Sequence, residues 1–121
     1  MTNITRVEDY ERDIFGFIGY NEADDQIVVA FRGTNGIDLR NWLTNFEQDH
    51  VPYKDVFNAR VHKGWFSAYL AIEEKVFTTV QAQVLLHPSA SILITGHSLG
   101  GVLGTLAAVD INRFVTPKAR V

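Results

Sequence analysis

The stretch ILITGHSLGG, residues 92–101, limits the possible folds of this chain more than any other. Four residues of strand-like hydrophobicity run into Gly96, and a single serine, Ser98, then stands among glycines. One glycine suffices to turn a loop, so the others answer a steric demand. A hydroxyl that must stand clear of a sheet on a sharp strand-to-helix turn forces strained backbone angles at the serine. The residues two before and two after are then pressed together, and only glycine lacks the Cβ that would clash. Gly96-His97-Ser98-Leu99-Gly100 therefore reads as a nucleophile elbow, with Ser98 as the nucleophile. A helix starting at the serine aims its unpaired N–H groups and positive dipole end at developing negative charge, which makes the Leu99 N–H an oxyanion donor.

Such an elbow needs a buried strand before it and a buried helix after it. SILIT, residues 91–95, is almost continuously apolar, as a strand covered by helices on both faces would be. The helix after it is expected from about Ser98 toward Phe114, apolar nearly all round and ended by Pro117. Upstream, IFGFIGY (14–20) and QIVVAF (26–31) flank the polar turn NEADD and predict an antiparallel hairpin. RGTNG at 32–36 is a loop. Leu39, Trp42, Leu43 and Phe46 then share one face of a short helix that Asp38 can cap. Residues 47–64 read as irregular. From Phe66 to about Leu86 a long amphipathic helix is expected, with Phe66, Tyr69, Leu70, Val76, Phe77, Val80 and Val84 on its apolar stripe. This order of strands and helices indicates an α/β layered domain with at least one right-handed crossover.

Composition removes several function classes. The 121 residues fit one domain, and a net charge of −3 argues against nucleic acid or an anionic membrane as the main partner. With no cysteine, disulfides, zinc–thiolate sites and cysteine nucleophiles are excluded. The four histidines show no metal-ligand spacing, so no metal is expected, and no cofactor is implied. The polar start MTNITRVEDYERD holds no apolar signal-peptide core, and no apolar run is long enough to span a bilayer. The chain is expected to be cytoplasmic if Met1 is the true start, and secreted if it is truncated.

Three ordered motifs, VVAFRGTNG…RNWLTNF, VHKGWFSAY and ILITGHSLGGVLGTLAAVDI, resemble the class 3 (fungal-type) triacylglycerol lipase family from about Phe15 to Ile111. The resemblance implies a partial α/β-hydrolase fold: a mostly parallel central sheet flanked by helices, with the hairpin at its N-terminal side. It implies one truncated domain over residues 1–121, acting on acylglycerols or related esters. By the same resemblance Ser98 is the nucleophile, and Thr34 joins Leu99 in the oxyanion hole through its N–H and hydroxyl. The segment from Asn35 to Phe46 corresponds to a mobile lid facing a lipid interface, although a helix packed on the core would carry the same Trp42 stripe. Arg32 is expected to anchor its loop.

A serine nucleophile needs an acid and a histidine, which follow it in this fold. No histidine follows Ser98. Asp110 lies on the same helix about 18 Å away at 1.5 Å per residue, so it cannot be the triad acid. His50, His62, His87 and His97 read as structural or solvated. The chain is therefore expected to be a piece of a lipase, missing its catalytic Asp and His, inactive alone and with an open sheet edge beside SILIT. Two rivals stand beside this reading: a feruloyl-type esterase of the same family, and a non-catalytic truncated protein that binds lipid or a partner.

Overall fold

The computed structural model describes residues 1–33, 50–54, 60–115 and 119–120. In chain order the elements are β1 (Thr2–Asp9), β2 (Ile14–Asn21), β3 (Gln26–Phe31), β4 (His50–Pro52), β5 (Arg60–His62), α1 (Lys63–Leu86), β6 (Ser91–Gly96), α2 (Leu99–Phe114) and β7 (Ala119–Arg120). A five-stranded sheet runs β1-β2-β3-β6-β7, and β4 pairs with β5 in a separate antiparallel ribbon. The main sheet is mixed: β1–β2 and β2–β3 are antiparallel, β3–β6 and β6–β7 parallel.

The β2–β3 hairpin follows from its sequence. Alternating residues of each strand turn inward, and Ile18, Ile27 and Val29 are fully buried. Asp25 closes the turn with φ 48°, a region Asp tolerates, and its N–H donates to Glu22 O at 3.3 Å. Strand β1, by contrast, has no counterpart in the sequence reading. It turns only Val7 into the core, so its sequence lacks the alternation that marks a half-buried strand. Asn3 (φ 53°) and a register shift between Thr2 and Thr5 make its outer end irregular, which blunts an edge that could pair with another chain.

Parallel pairing of β3 with β6, from Gln26 beside Ser91 to Phe31 beside Gly96, requires a crossover, and α1 supplies it. Both helices pack on one face of the sheet. Tyr69, Ile72, Val76 and Val80 of α1 and Leu103, Ala107 and Ile111 of α2 close over Ile18, Ile27, Val29, Ile92 and Ile94. Each of the large aliphatic side chains buried there stabilises the fold by about 1.5–3 kcal/mol relative to exposure.

Several expectations are corrected. Helix α1 begins at Lys63, and its buried stripe is Ala68, Tyr69, Ile72, Val76, Val80 and Gln83, whereas Leu70 is 49% exposed. Apolar residues occur on more than one side of this helix, so the pattern alone did not select the inner one. Within 47–64 the chain forms β4 and β5 rather than irregular coil. Strand β6 is covered on one face only among the described residues; Leu93, like Val28 and Ala30 of β3, is half-buried on the other. Its free edge is not wholly bare, because β7 pairs with Ile92 and Leu93. Helix α2 ends at Phe114, with the Val115 N–H bonded to Ile111 O at 3.0 Å. The expected helix at 38–46 and the terminator Pro117 lie outside the described residues.

Candidate active site

At the C-terminal end of β6 the chain turns through Gly96, His97 and Ser98 into α2. Ser98 has φ 58° and ψ −123°, a conformation that costs a non-glycine residue about 1–3 kcal/mol. Serine residues at helix starts usually spend their oxygen on a capping bond, but Ser98 makes none. Its hydroxyl is left uncommitted to the helix.

The glycines explain how this backbone is held. A Cβ on Gly96 would strike the Gly100 carbonyl and lie 2.7 Å from Gly101 N. A Cβ on Gly100 would strike Phe31 O and lie 2.9 Å from Arg32 C. On the opposing loop, a Cβ on Gly33 would strike His97 O and lie 3.3 Å from Ser98 Cβ. The approaches at Gly100 and Gly33 thus lock the end of β3 against the elbow, and the one at Gly96 closes the elbow on itself. The residue after Gly33 is Thr34, which lies outside the described residues, as does the segment from Asn35 to Phe46.

Around the turn, the Gly100 N–H donates to His97 O at 3.0 Å and the Gly101 N–H to Ser98 O at 2.9 Å. The Leu99 N–H, first in α2, has no acceptor among the described residues. It opens the positive end of a sixteen-residue helix. An anion beside Ser98 would therefore meet an uncommitted donor.

Among the described residues no histidine is hydrogen-bonded to Ser98. His97 is exposed. His87 sits at the opposite end of β6, its ring stacked on Tyr20 at 3.5 Å, where Asp25 bonds both the Tyr20 hydroxyl (2.8 Å) and the Ser89 hydroxyl (2.7 Å). The side chains of His50 and His62 lie outside the described residues. Arg32 reaches Asp13 at 2.5 Å and lies over the Phe15 ring, tying its loop to the β1–β2 turn. Among the described residues no group of carboxylates and histidines could hold a metal ion.

Asp110 has a role that the sequence reading missed. It is 2% exposed, and its carboxylate accepts bonds from the Tyr53 hydroxyl (2.9 Å), the Lys54 ammonium (2.8 Å) and the Tyr69 hydroxyl (2.6 Å). Lys54 also forms an ion pair with Glu73 at 3.1 Å. Burial, reinforced by the bond to Asp110, pushes both tyrosines well above the usual phenol range. Burial alone would pull the Lys54 ammonium down, but Asp110 and Glu73 together outweigh it and raise the group. A lone acid in an otherwise apolar helix was the available signal.

A buried strand ending in a strained, glycine-clasped serine, with a helix starting directly behind it, defines a chain of the α/β-hydrolase type. The Lipase (class 3) family model matches residues 28–120. Among curated relatives, a lipase of Rhizopus niveus is 35% identical over 99 residues, covering 82% of this chain and 25% of the relative. The secreted mono- and diacylglycerol lipase 1 of Fusarium solani is 32% identical over 100 residues, covering 83% of this chain and 29% of the relative. A solved triacylglycerol lipase, described as having a serine protease triad as its catalytic centre, superposes with a TM-score of 0.79 at 25% identity, over 97% of this chain and 46% of that one. The chain belongs to the class 3 lipase family, and it spans between a quarter and a third of the length of these curated relatives.

Proposed function

We propose that the protein carrying this chain hydrolyses carboxylic esters of lipids, acylglycerols foremost, through Ser98. The observation that carries the reading is the strained Ser98, held between backbone contacts with its hydroxyl free of any cap.

In this mechanism Ser98 Oγ attacks the ester carbonyl and its proton passes to a general base. Collapse of the tetrahedral intermediate expels the alcohol, and water then hydrolyses the acyl-enzyme. The Leu99 N–H, together with the N–H and hydroxyl of Thr34, stabilises the oxyanion, each donor contributing a few kcal/mol (about 2.7–4) to the transition state. No histidine follows Ser98 in this sequence, and the relatives are about three times as long as this chain. The base and its acid are accordingly assigned to polypeptide beyond these residues, and this chain alone is not a competent lipase. The segment from Asn35 to Phe46 acts as the lid at the lipid surface. Export from the cell is proposed by analogy with the Fusarium relative, which is named as secreted.

The test is hydrolysis of emulsified acylglycerol and of soluble short-chain esters by the chain within a polypeptide of family length, with Ser98→Ala alongside. Ser98-dependent turnover of both is expected. A feruloyl-type esterase would prefer hydroxycinnamoyl esters, and a non-catalytic lipid-binding protein would bind without turnover.

A further inference from the structure

Ser98 is the first residue ahead of a stiff helix, so whatever sets the helix sets the serine. Near its start, α2 is fixed by the approach of Gly100 to the Phe31 and Arg32 backbone. Ten residues on, about 15 Å along the axis, lies Asp110. Its bonds come from two separate parts of the chain: Tyr53 and Lys54 after β4, and Tyr69 on α1. Lys54 adopts φ 49° in delivering its ammonium there, an uncommon conformation for a residue with a side chain.

A buried carboxylate is a poor way to gain stability. The desolvation of the ion offsets much of what its partners return, and apolar residues of similar volume often serve as well. What such a cluster adds is a unique position. A slide of α2 by one residue, or a rotation of it, would break the bonds of Asp110 to Tyr53, Lys54 and Tyr69 together and leave a charge buried without partners. Apolar contacts between α1 and α2 carry no comparable directional demand.

We propose that Asp110 is a positioning residue for Ser98: with Lys54, Tyr53 and Tyr69 it fixes the axial and rotational setting of α2, and through it the placement of the serine hydroxyl and the Leu99 N–H. The inference rests on the reading of Ser98 as nucleophile. Strained residues persist only where their surroundings over-determine them, and the Asp110 cluster adds a distant fixed point on α2 to the glycine contacts at Gly33, Gly96 and Gly100 that hold the elbow itself.

The experiment uses the chain within a polypeptide of family length and compares Asp110→Leu, Lys54→Met, Lys54→Arg and Tyr69→Phe with the parent. It is run well below the unfolding midpoint of each variant, with the folded fraction measured by circular dichroism. Asp110→Leu and Lys54→Met are expected to lower kcat on a soluble ester by about 10–100-fold with KM within about twofold, because ground-state binding is untouched while the transition state loses its aligned serine and donor. Ser98 labelling by a fluorophosphonate should slow in parallel. Lys54→Arg should recover most of the loss, and Tyr69→Phe should lie between the parent and Asp110→Leu. Should Asp110→Leu fail to fold, Lys54→Met and Tyr69→Phe, which leave the carboxylate in place, carry the test. Unchanged kcat in folded variants, or losses that only follow the unfolded fraction, would overturn the proposal. Full activity in Ser98→Ala would instead remove the nucleophile reading beneath it, so the two failures are separable.

Discussion

Two adjacent glycines should respond in opposite ways to the same methyl group. In Gly100→Ala the new Cβ would sit 2.9 Å from both Phe31 C and Arg32 C, and closer still to Phe31 O. Comfortable carbon contacts lie near 3.5–4.0 Å, and these neighbours are backbone atoms with no rotamer to yield. Either the end of β3 or the start of α2 must move, at a cost of about 1–3 kcal/mol, toward the upper end because neither side is flexible. In Gly101→Ala the nearest atom is Gly96 O at 3.4 Å, ordinary contact, and alanine returns about 0.5–1 kcal/mol of helix preference. The two variants should therefore differ by about 3 kcal/mol, which is about 6–12 °C in unfolding midpoint for a domain of roughly 150–250 residues and less for a longer one. Thermal unfolding of both, in a polypeptide of family length, reads the difference. Fluorophosphonate labelling should fall more than tenfold for Gly100→Ala and stay within about threefold for Gly101→Ala. Equal stability and equal labelling of the two would refute the close backbone contact on which the elbow geometry depends.

Alkaline pH should loosen the helix pair. Tyr53 and Tyr69 stay protonated in the folded state above the point where the unfolded phenols ionise, and Lys54 likewise holds its proton. Stability should thus fall as pH rises past about 10, by up to about 1.4 kcal/mol per pH unit for each buried tyrosine and by less for Lys54, which water screens, and denaturant titrations should show a shallower fall in Tyr69→Phe. Thr34→Val should lower kcat by about one to three orders of magnitude with a smaller change in KM, measured on a soluble ester. Trp42→Ala should reduce turnover of emulsions more than turnover of soluble esters; equal losses would favour a helix packed on the core over a lid. The 121-residue chain alone should hydrolyse esters at background rate, as followed by release of a chromogenic alcohol.

What the sequence disclosed was whatever depends on local periodicity or on close packing. The β2–β3 hairpin, the two helices and β6 were legible because apolar runs, the polar turn between two of them and the stripe of α1 need only neighbouring residues. The elbow was legible because Gly96 and Gly100 record a backbone contact that no other residue survives. Strand β1 was not, since only Val7 of its residues is buried. Strands β4 and β5 were not, since three-residue strands show no period and Pro52 argues against one. The Asp110 cluster joins residues 41 to 57 positions apart, and such a contact leaves no spacing to read. The stripe of α1 was misjudged at Leu70 because apolar residues exceed what one face can bury.

The most direct test is covalent. A polypeptide of family length is treated with a fluorophosphonate probe, digested, and the modified peptide mapped by mass spectrometry, with Ser98→Ala treated in parallel. If Ser98 is the nucleophile, one stoichiometric adduct forms on it, ester hydrolysis is lost in step with labelling, and Ser98→Ala shows neither adduct nor turnover. Hydrolysis that survives in Ser98→Ala, or an adduct on a different serine, would contradict it.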